Sequence, residues 1–245
     1  MKLKLVGTGA ITGLDRSACS LIDSKILIDC GNGLLKTLTA QGVEIMNIEA
    51  VFITHLHADH FFDLPFLMLL RFINKANNFL KIYCPKGTEE IIKHLCDDYV
   101  AGKPESYNLW KEKGNFEFVE FESLNEKEIL DNYYVTSFEV CHGVMRPSYG
   151  YVVKYNDKVV GFSGDTTYCS AVEEIVNTSN VAVLDMAFVE TTPVHMGVYD
   201  IENICKNNRD KTIVATHMSG KAREVASSKN IKNLVVATDG MELEI

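Results

Sequence analysis

Thr54-His55-Leu56-His57-Ala58-Asp59-His60 begins on the last residue of the apolar run Ala50–Thr54, which predicts a buried strand. Side chains of an extended stretch alternate with period two, so His55 and His57 should point the same way. Asp59 and His60 lie where the chain turns towards the next helix. Three imidazoles and a carboxylate thus converge at one strand end. This donor set suits Zn²⁺ first, and Mn²⁺ or Fe where carboxylates are more numerous. With 7 His and 14 Asp in 245 residues, the pattern would arise by chance somewhere in the chain roughly 3 times in 10,000. Four unrelated surface residues are a poor explanation for it.

The flanking segments set the architecture. Before the cluster, Lys2–Val6, Ala18–Ile22 and Lys25–Asp29 read as short antiparallel strands, the last two parted by Asp23-Ser24. Leu34, Leu35 and Leu38 after Gly31-Asn32-Gly33 fit a short helix. After the cluster, Phe66–Ile73 is apolar on nearly all sides and predicts a buried helix, with Asp63 as its N-cap and Pro65 in its first turn. Strand Leu80–Cys84, helix Thr88–Tyr99 and a polar loop Ala101–Gly114 follow.

Strands are next expected at Phe116–Phe121, Tyr133–Val140, Tyr149–Tyr155 and Lys158–Phe162, the last pair joined by the hairpin turn Asn156-Asp157. The final third alternates strands near Val181–Asp185, Thr212–Ala215 and Leu234–Ala237 with helices near Ser170–Asn177, Ile201–Asn207 and Lys221–Ser227. No solenoid repeat and no Pro/Gly/Ser linker interrupts this order. The expectation is an α/β fold of one domain, residues 1–245, with two packed sheets and helices outside: a four-layer α/β/β/α sandwich.

Composition narrows the function. The chain is 47% apolar and 23% charged, as ordinary globular proteins are. Its net charge of −9 argues against a general nucleic-acid binder, which needs a basic footprint to displace counterions. Seven irregularly spaced cysteines without a Cys-x-x-Cys pair predict buried free thiols. The start Met1–Gly9 has no signal-peptide run, and Phe61–Ile73 falls short of the ~18 residues of a membrane span, so a cytoplasmic chain without membrane contact is expected. Val6-Gly7-Thr8-Gly9 with Asp29 beyond it superficially suggests a dinucleotide fingerprint, yet position 12 is Thr and Ala18–Asp29 alternates like a hairpin where a helix is required.

His55-x-His57-x-Asp59-His60 resembles the signature of the metallo-β-lactamase superfamily, whose fold is the α/β/β/α sandwich with a metal site between the sheets. The resemblance implies further ligands. His142 in Cys141-His142-Gly143 stands where the family places its third histidine, Asp165 matches the carboxylate bridging both metals, and His217 matches the last ligand. Two divalent cations are therefore implied, one among His55, His57, His142 and Asp165, the other among Asp59, His60, Asp165 and His217. His94 has no place in the pattern and is taken as structural. Oxygen-reducing members carry Glu in place of His57, so the resemblance implies a hydrolase.

Finer features are similar to ribonuclease Z and its relatives over nearly the whole chain: Gly7-Thr8-Gly9, Asp15–Ser20, Asp29–Gly33, Leu64-Pro65, Pro147–Tyr151, Ser163–Thr166 and Asp239-Gly240-Met241. Asp59, beside a metal-activated water, would also orient that nucleophile or take its proton. His195 stands where a further histidine binds phosphate or protonates the leaving group, and Asp185 where an acidic residue orients a histidine. Transfer-RNA-processing members insert a long arm ahead of the bridging Asp. Here His142 and Asp165 are 23 positions apart, which leaves no room for it.

A phosphodiesterase of small, cyclic or nucleotide phosphodiesters is thus expected, pairing as a homodimer as armless relatives do. The alternatives are tRNA 3′-end endonuclease activity, thioester or β-lactam hydrolysis on the same scaffold, and a binding protein with a vestigial site. Two cations against the charges of Asp59 and Asp165 leave a positive pocket within an acidic shell. Such a pocket admits a small phosphodiester and disfavours a long nucleic acid lying on the surface.

Overall fold

The computed structural model describes residues Met1–Ile245. Its first half runs β1 (Lys2–Gly7), β2 (Cys19–Ile22), β3 (Ile26–Ile28), α1 (Leu34–Ala40), β4 (Ala50–Phe52), α2 (Ala58–Phe61), α3 (Leu64–Ile73), β5 (Leu80–Pro85), α4 (Thr88–His94), α5 (Ser106–Gly114) and β6 (Phe116–Phe121). The second runs β7 (Lys127–Leu130), β8 (Tyr133–Glu139), β9 (Tyr149–Tyr155), β10 (Lys158–Phe162), α6 (Ser170–Thr178), β11 (Val181–Asp185), α7 (Val198–Asn207), β12 (Thr212–Thr216), α8 (Gly220–Ser228), β13 (Leu234–Val236) and β14 (Met241–Glu244). No helix is long and apolar enough to cross a membrane.

Two seven-stranded sheets result, in the orders β14-β1-β2-β3-β4-β5-β6 and β13-β12-β11-β10-β9-β8-β7. Each is antiparallel in one part and parallel in the other, the change falling at β3 and at β10. The central strands β3 and β4 of the first sheet are buried on both faces, which is why they are continuous apolar runs. Alternation then sorts the sheet's side chains. Ile26, Ile28, Ala50, Phe52 and Tyr83 join the core between the sheets, whereas Leu27, Val51, Ile53, Ile82 and Cys84 pack against the helices outside. Tyr151 of β9 crosses the interlayer: its ring meets Phe52 edge-on at 5.2 Å, and its hydroxyl donates to the Ile53 carbonyl at 2.6 Å. The α/β/β/α layering expected from the sequence is the observed one.

Four local expectations need correction. The supposed loop Ala101–Gly114 contains helix α5. Few of its residues are apolar, but Tyr107 and Trp110, one turn apart, are buried, and Trp110 stacks near Phe72 of α3; packing rather than propensity makes this helix. Helix Thr88–Tyr99 is α-helical only to His94 and continues as a π-helical turn, Leu95–Val100. Asp63 does precede α3, yet its carboxylate accepts from Gly33 N at 3.1 Å and Leu35 N at 2.9 Å, so it caps α1, whose own N-cap is glycine. Strands β7 and β14 were not expected, because both are sheet edges rich in exposed charged residues.

The thiol expectation is met in part: all seven cysteines are free, but Cys141 is exposed and Cys169 half-buried. Gly7 does not serve a nucleotide. A Cβ there would meet the Ser17 carbonyl oxygen at 2.1 Å, and β1 leads into antiparallel β2 with no helix between.

Candidate metal centre

The donors gather where strands of both sheets end. His55 to His60 follow β4, His142 follows β8, Asp165 follows β10, Asp185 closes β11 and His217 follows β12. Asp29, just beyond β3, and His217 are held at left-handed φ of 64° and 55°, a conformation that costs a non-glycine residue about 1–3 kcal/mol and clusters at functional sites. Gly31 admits the α2 segment: a Cβ at this position would lie 1.7 Å from the Asp59 carbonyl oxygen.

Three donor groups form, each with its ligand atoms within 4.8 Å of one another: His55, His57, His142 and Asp165; Asp59, His60 and His217; and Asp165, Asp185, His195 and His217. His57 Nδ1 lies 3.0 Å from His55 Nε2 and 3.2 Å from His142 Nε2. Asp165 Oδ2 is shared, at 3.4 Å from both His60 Nε2 and His217 Nε2 and 3.8 Å from His55 Nε2. Asp59 Oδ2 lies 3.6 Å from the same two nitrogens of His60 and His217. All seven residues expected from the sequence as ligands are therefore brought together. His94 is not: it is exposed and pairs with Asp98 on its own helical stretch at 2.6 Å.

Three of the donor rings have their other nitrogen held by a protein oxygen. His60 Nδ1 lies 2.8 Å from Asp29 Oδ2, His142 Nδ1 2.8 Å from the Val194 carbonyl, and His55 Nδ1 3.0 Å from Thr54 Oγ1. Asp185 serves two rings: Oδ2 is 2.9 Å from His195 Nδ1, and Oδ1 is 3.4 Å from His217 Nδ1 without hydrogen-bond alignment. Such partners fix the orientation of an imidazole and raise its basicity as a ligand. Asp29, Thr54 and the Val194 carbonyl escaped sequence reasoning. The only hint was the Asp29–Gly33 segment, whose role is visible only across the fold.

Burial and charge set the protonation of the group. Burial, with His60 and the neighbouring rings, holds His55 well below 6.5, and burial with His142 lowers His57. Burial would also lower His60 and His217, but Asp165 with Asp29 raises the first, and Asp165 with Asp185 and Asp59 lifts the second to about 10. Burial would raise the Asp165 carboxyl, yet His217, His60 and His55 hold it well below the carboxylate range. His195 is raised by Asp185 against the opposing effect of burial.

A divalent cation fits these residues. His60 Nε2 and both His217 nitrogens are buried without a hydrogen-bond partner, a costly state that coordination relieves. Imidazole and carboxylate donors are those of Zn²⁺-type sites, with His142, His60 and His195 oriented from behind. The arrangement supports divalent metal use.

The chain is 25% identical to the ribonuclease Z of Methanococcus maripaludis strain C5, over 93% of this chain and 89% of the relative. Its fold matches the metallo-β-lactamase fold protein YhfI from Bacillus subtilis, with a TM-score of 0.79 at 16% identity over 99% of this chain and 98% of the other. It also matches the short form of human tRNase Z, with a TM-score of 0.77 at 20% identity over 100% and 99% of the two chains. Residues 1–239 match the family described as Anti-Pycsar protein Apyc1. With that match and the donor clusters at the sheet ends, the chain belongs to the Anti-Pycsar protein Apyc1 family, a ribonuclease Z-like branch of the metallo-β-lactamase superfamily.

Proposed function

We propose that this protein hydrolyses a small phosphodiester, cyclic or derived from a nucleotide, at a centre of two divalent cations, Zn²⁺ first among them. The coarser statement, a metal-dependent hydrolase of phosphodiester type, follows from the family and the donor clusters. The observation that carries the finer one is the segment between His142 and Asp165. It is taken up by the tight hairpin of β9 and β10, so nothing projects there to grip a polynucleotide.

Divalent cations in such a centre lower the pKa of water from 15.7 to around 7 and neutralise phosphate oxygens. His55, His57, His142 and Asp165 would hold one, and Asp59, His60, Asp165 and His217 the other. Asp59 takes the proton of the attacking water. His195, its Nδ1 engaged by Asp185, has Nε2 available to protonate the departing alkoxide as the P–O bond breaks. Asp165, His55 and His142 are buried, so bulk water is excluded from that wall of the site, where charge stabilisation is worth more than in water.

A panel under one metal condition tests this: cyclic 2′,3′-phosphates, cyclic mononucleotides, precursor tRNA and a thioester, with Asp59→Ala as control. Turnover of the cyclic esters, abolished in the variant, supports the proposal. Preferential cleavage of precursor tRNA, which the ribonuclease Z relative makes the second reading, or of the thioester would overturn it.

A further inference from the structure

Two cysteines outside the chemistry described above meet at the rim of the site. Cys141 immediately precedes His142, and Cys169 is the N-cap of α6, four residues after Asp165. Thr166 draws them together. Its Oγ1 accepts from Cys141 N at 3.1 Å, lies 3.3 Å from the Cys141 carbonyl oxygen, and lies 3.9 Å from Cys169 Sγ. Thr167 N also donates to that carbonyl at 2.9 Å. Thr166 Oγ1 thus touches both the Cys141 backbone and the Cys169 thiol.

The seven cysteines differ in access. Cys19, Cys30, Cys84, Cys96 and Cys205 are buried. Only Cys141 is exposed and only Cys169 is half-buried. An oxidant in solution therefore reaches one pair and no other.

We propose that Cys141 and Cys169 form a reversible intramolecular disulfide when the protein meets a peroxide. The Cys141 sulfur, the more accessible, attacks one peroxide oxygen; the O–O bond breaks, Cys141 becomes a sulfenic acid and one water leaves. The Cys169 sulfur then attacks the Cys141 sulfur, the S–O bond breaks and a second water leaves with the thiol proton. Two thiols have lost two electrons and two protons, and one peroxide has become two waters. An exposed bond of this kind is of the labile, reducible class rather than a structural staple. It would join the residue before His142 to the start of α6, closing a loop that contains both strands of the hairpin and Asp165. Two donor-bearing segments would then be tied together.

The test uses the full-length, metal-loaded protein treated with hydrogen peroxide and read by intact mass, thiol titration and peptide mapping without reductant. A loss of about 2 Da, two of the seven thiols consumed, one peptide pair linked through Cys141 and Cys169, and full reversal by dithiothreitol are expected. In Cys169→Ser the oxidation should stop at a Cys141 sulfenic acid that dimedone traps; in Cys141→Ser no linked pair should form. A link between two chains through Cys141, separate oxidation of the two residues, or both thiols surviving while a free model thiol is consumed would each overturn the proposal. None of these readouts depends on which phosphodiester the centre cleaves.

Discussion

Asp29 shows how much a single residue outside the donor set can hold. Its Oδ1 accepts from Thr54 N at 2.8 Å and its Oδ2 faces His60 Nδ1 at 2.8 Å, so one buried carboxylate orders both the end of the β4 segment and the ring of a ligand. Asp29→Asn keeps an acceptor for Thr54 but loses the charge behind His60. Metal affinity should fall about 10–100-fold with the fold intact, as measured by chelator competition alongside circular dichroism; unchanged affinity would remove Asp29 from the site. His195 can be separated from a merely structural histidine by its leaving-group dependence. His195→Asn should slow esters with alkyl leaving groups about 10²–10⁴-fold, while a bis-aryl ester, whose nitrophenolate departs unprotonated, changes less than about tenfold. Equal losses on both substrates would mean that His195 only shapes the pocket.

At the scale of elements, helices on the outer face of the first sheet are linked by polar contacts the sequence does not announce. Glu89 of α4 accepts from the Tyr107 hydroxyl at 2.6 Å and pairs with Lys111, both on α5. Burial would raise its pKa, but the bonds from Lys111 and Tyr107 outweigh burial and hold it below 4.5. A carboxyl whose folded pKa lies below its unfolded value stabilises the fold above the unfolded pKa and loses that contribution as the pH falls through the folded one. Glu89→Gln should therefore be less stable than the parent at pH 7, by under about 1 kcal/mol because the half-buried pair is still screened by solvent. The gap should narrow once the pH drops below 4.5. Urea midpoints across that range decide it, and a gap independent of pH would count against the pairing.

For the whole molecule the metal centre is also a structural joint. Its donors come from both sheets, His55 to His60 from one and His142, Asp165, Asp185 and His217 from the other. The purified protein should carry about two divalent ions per chain after expression with Zn²⁺ and Mn²⁺ supplied; elemental analysis giving none would sink the assignment. Stripping the ions should destabilise the fold, since binding to the native state alone contributes about 2.7 kcal/mol at a free concentration of 100 Kd. The buried, unpartnered nitrogens of His60 and His217 are the places where that cost should be felt.

Four of the donors and the layered fold were legible in local patterns, whereas His142, Asp165 and His217 were expected only through the resemblance to the family. Four ligand residues within six positions mark a strand end, and apolar runs of strand length mark strands covered on both faces. What lay beyond reach depends on contacts between distant segments. Asp29 meets His60 across 31 positions, Asp185 meets His195 and His217 from a separate strand, and α5 exists because Trp110 finds Phe72. The sequence by itself determined which atoms could bind a cation and in what order along the chain they occur. Only the tertiary structure decided which nitrogen of the His55, His60 and His142 rings faces inward, because that choice belongs to the oxygen the fold places behind each.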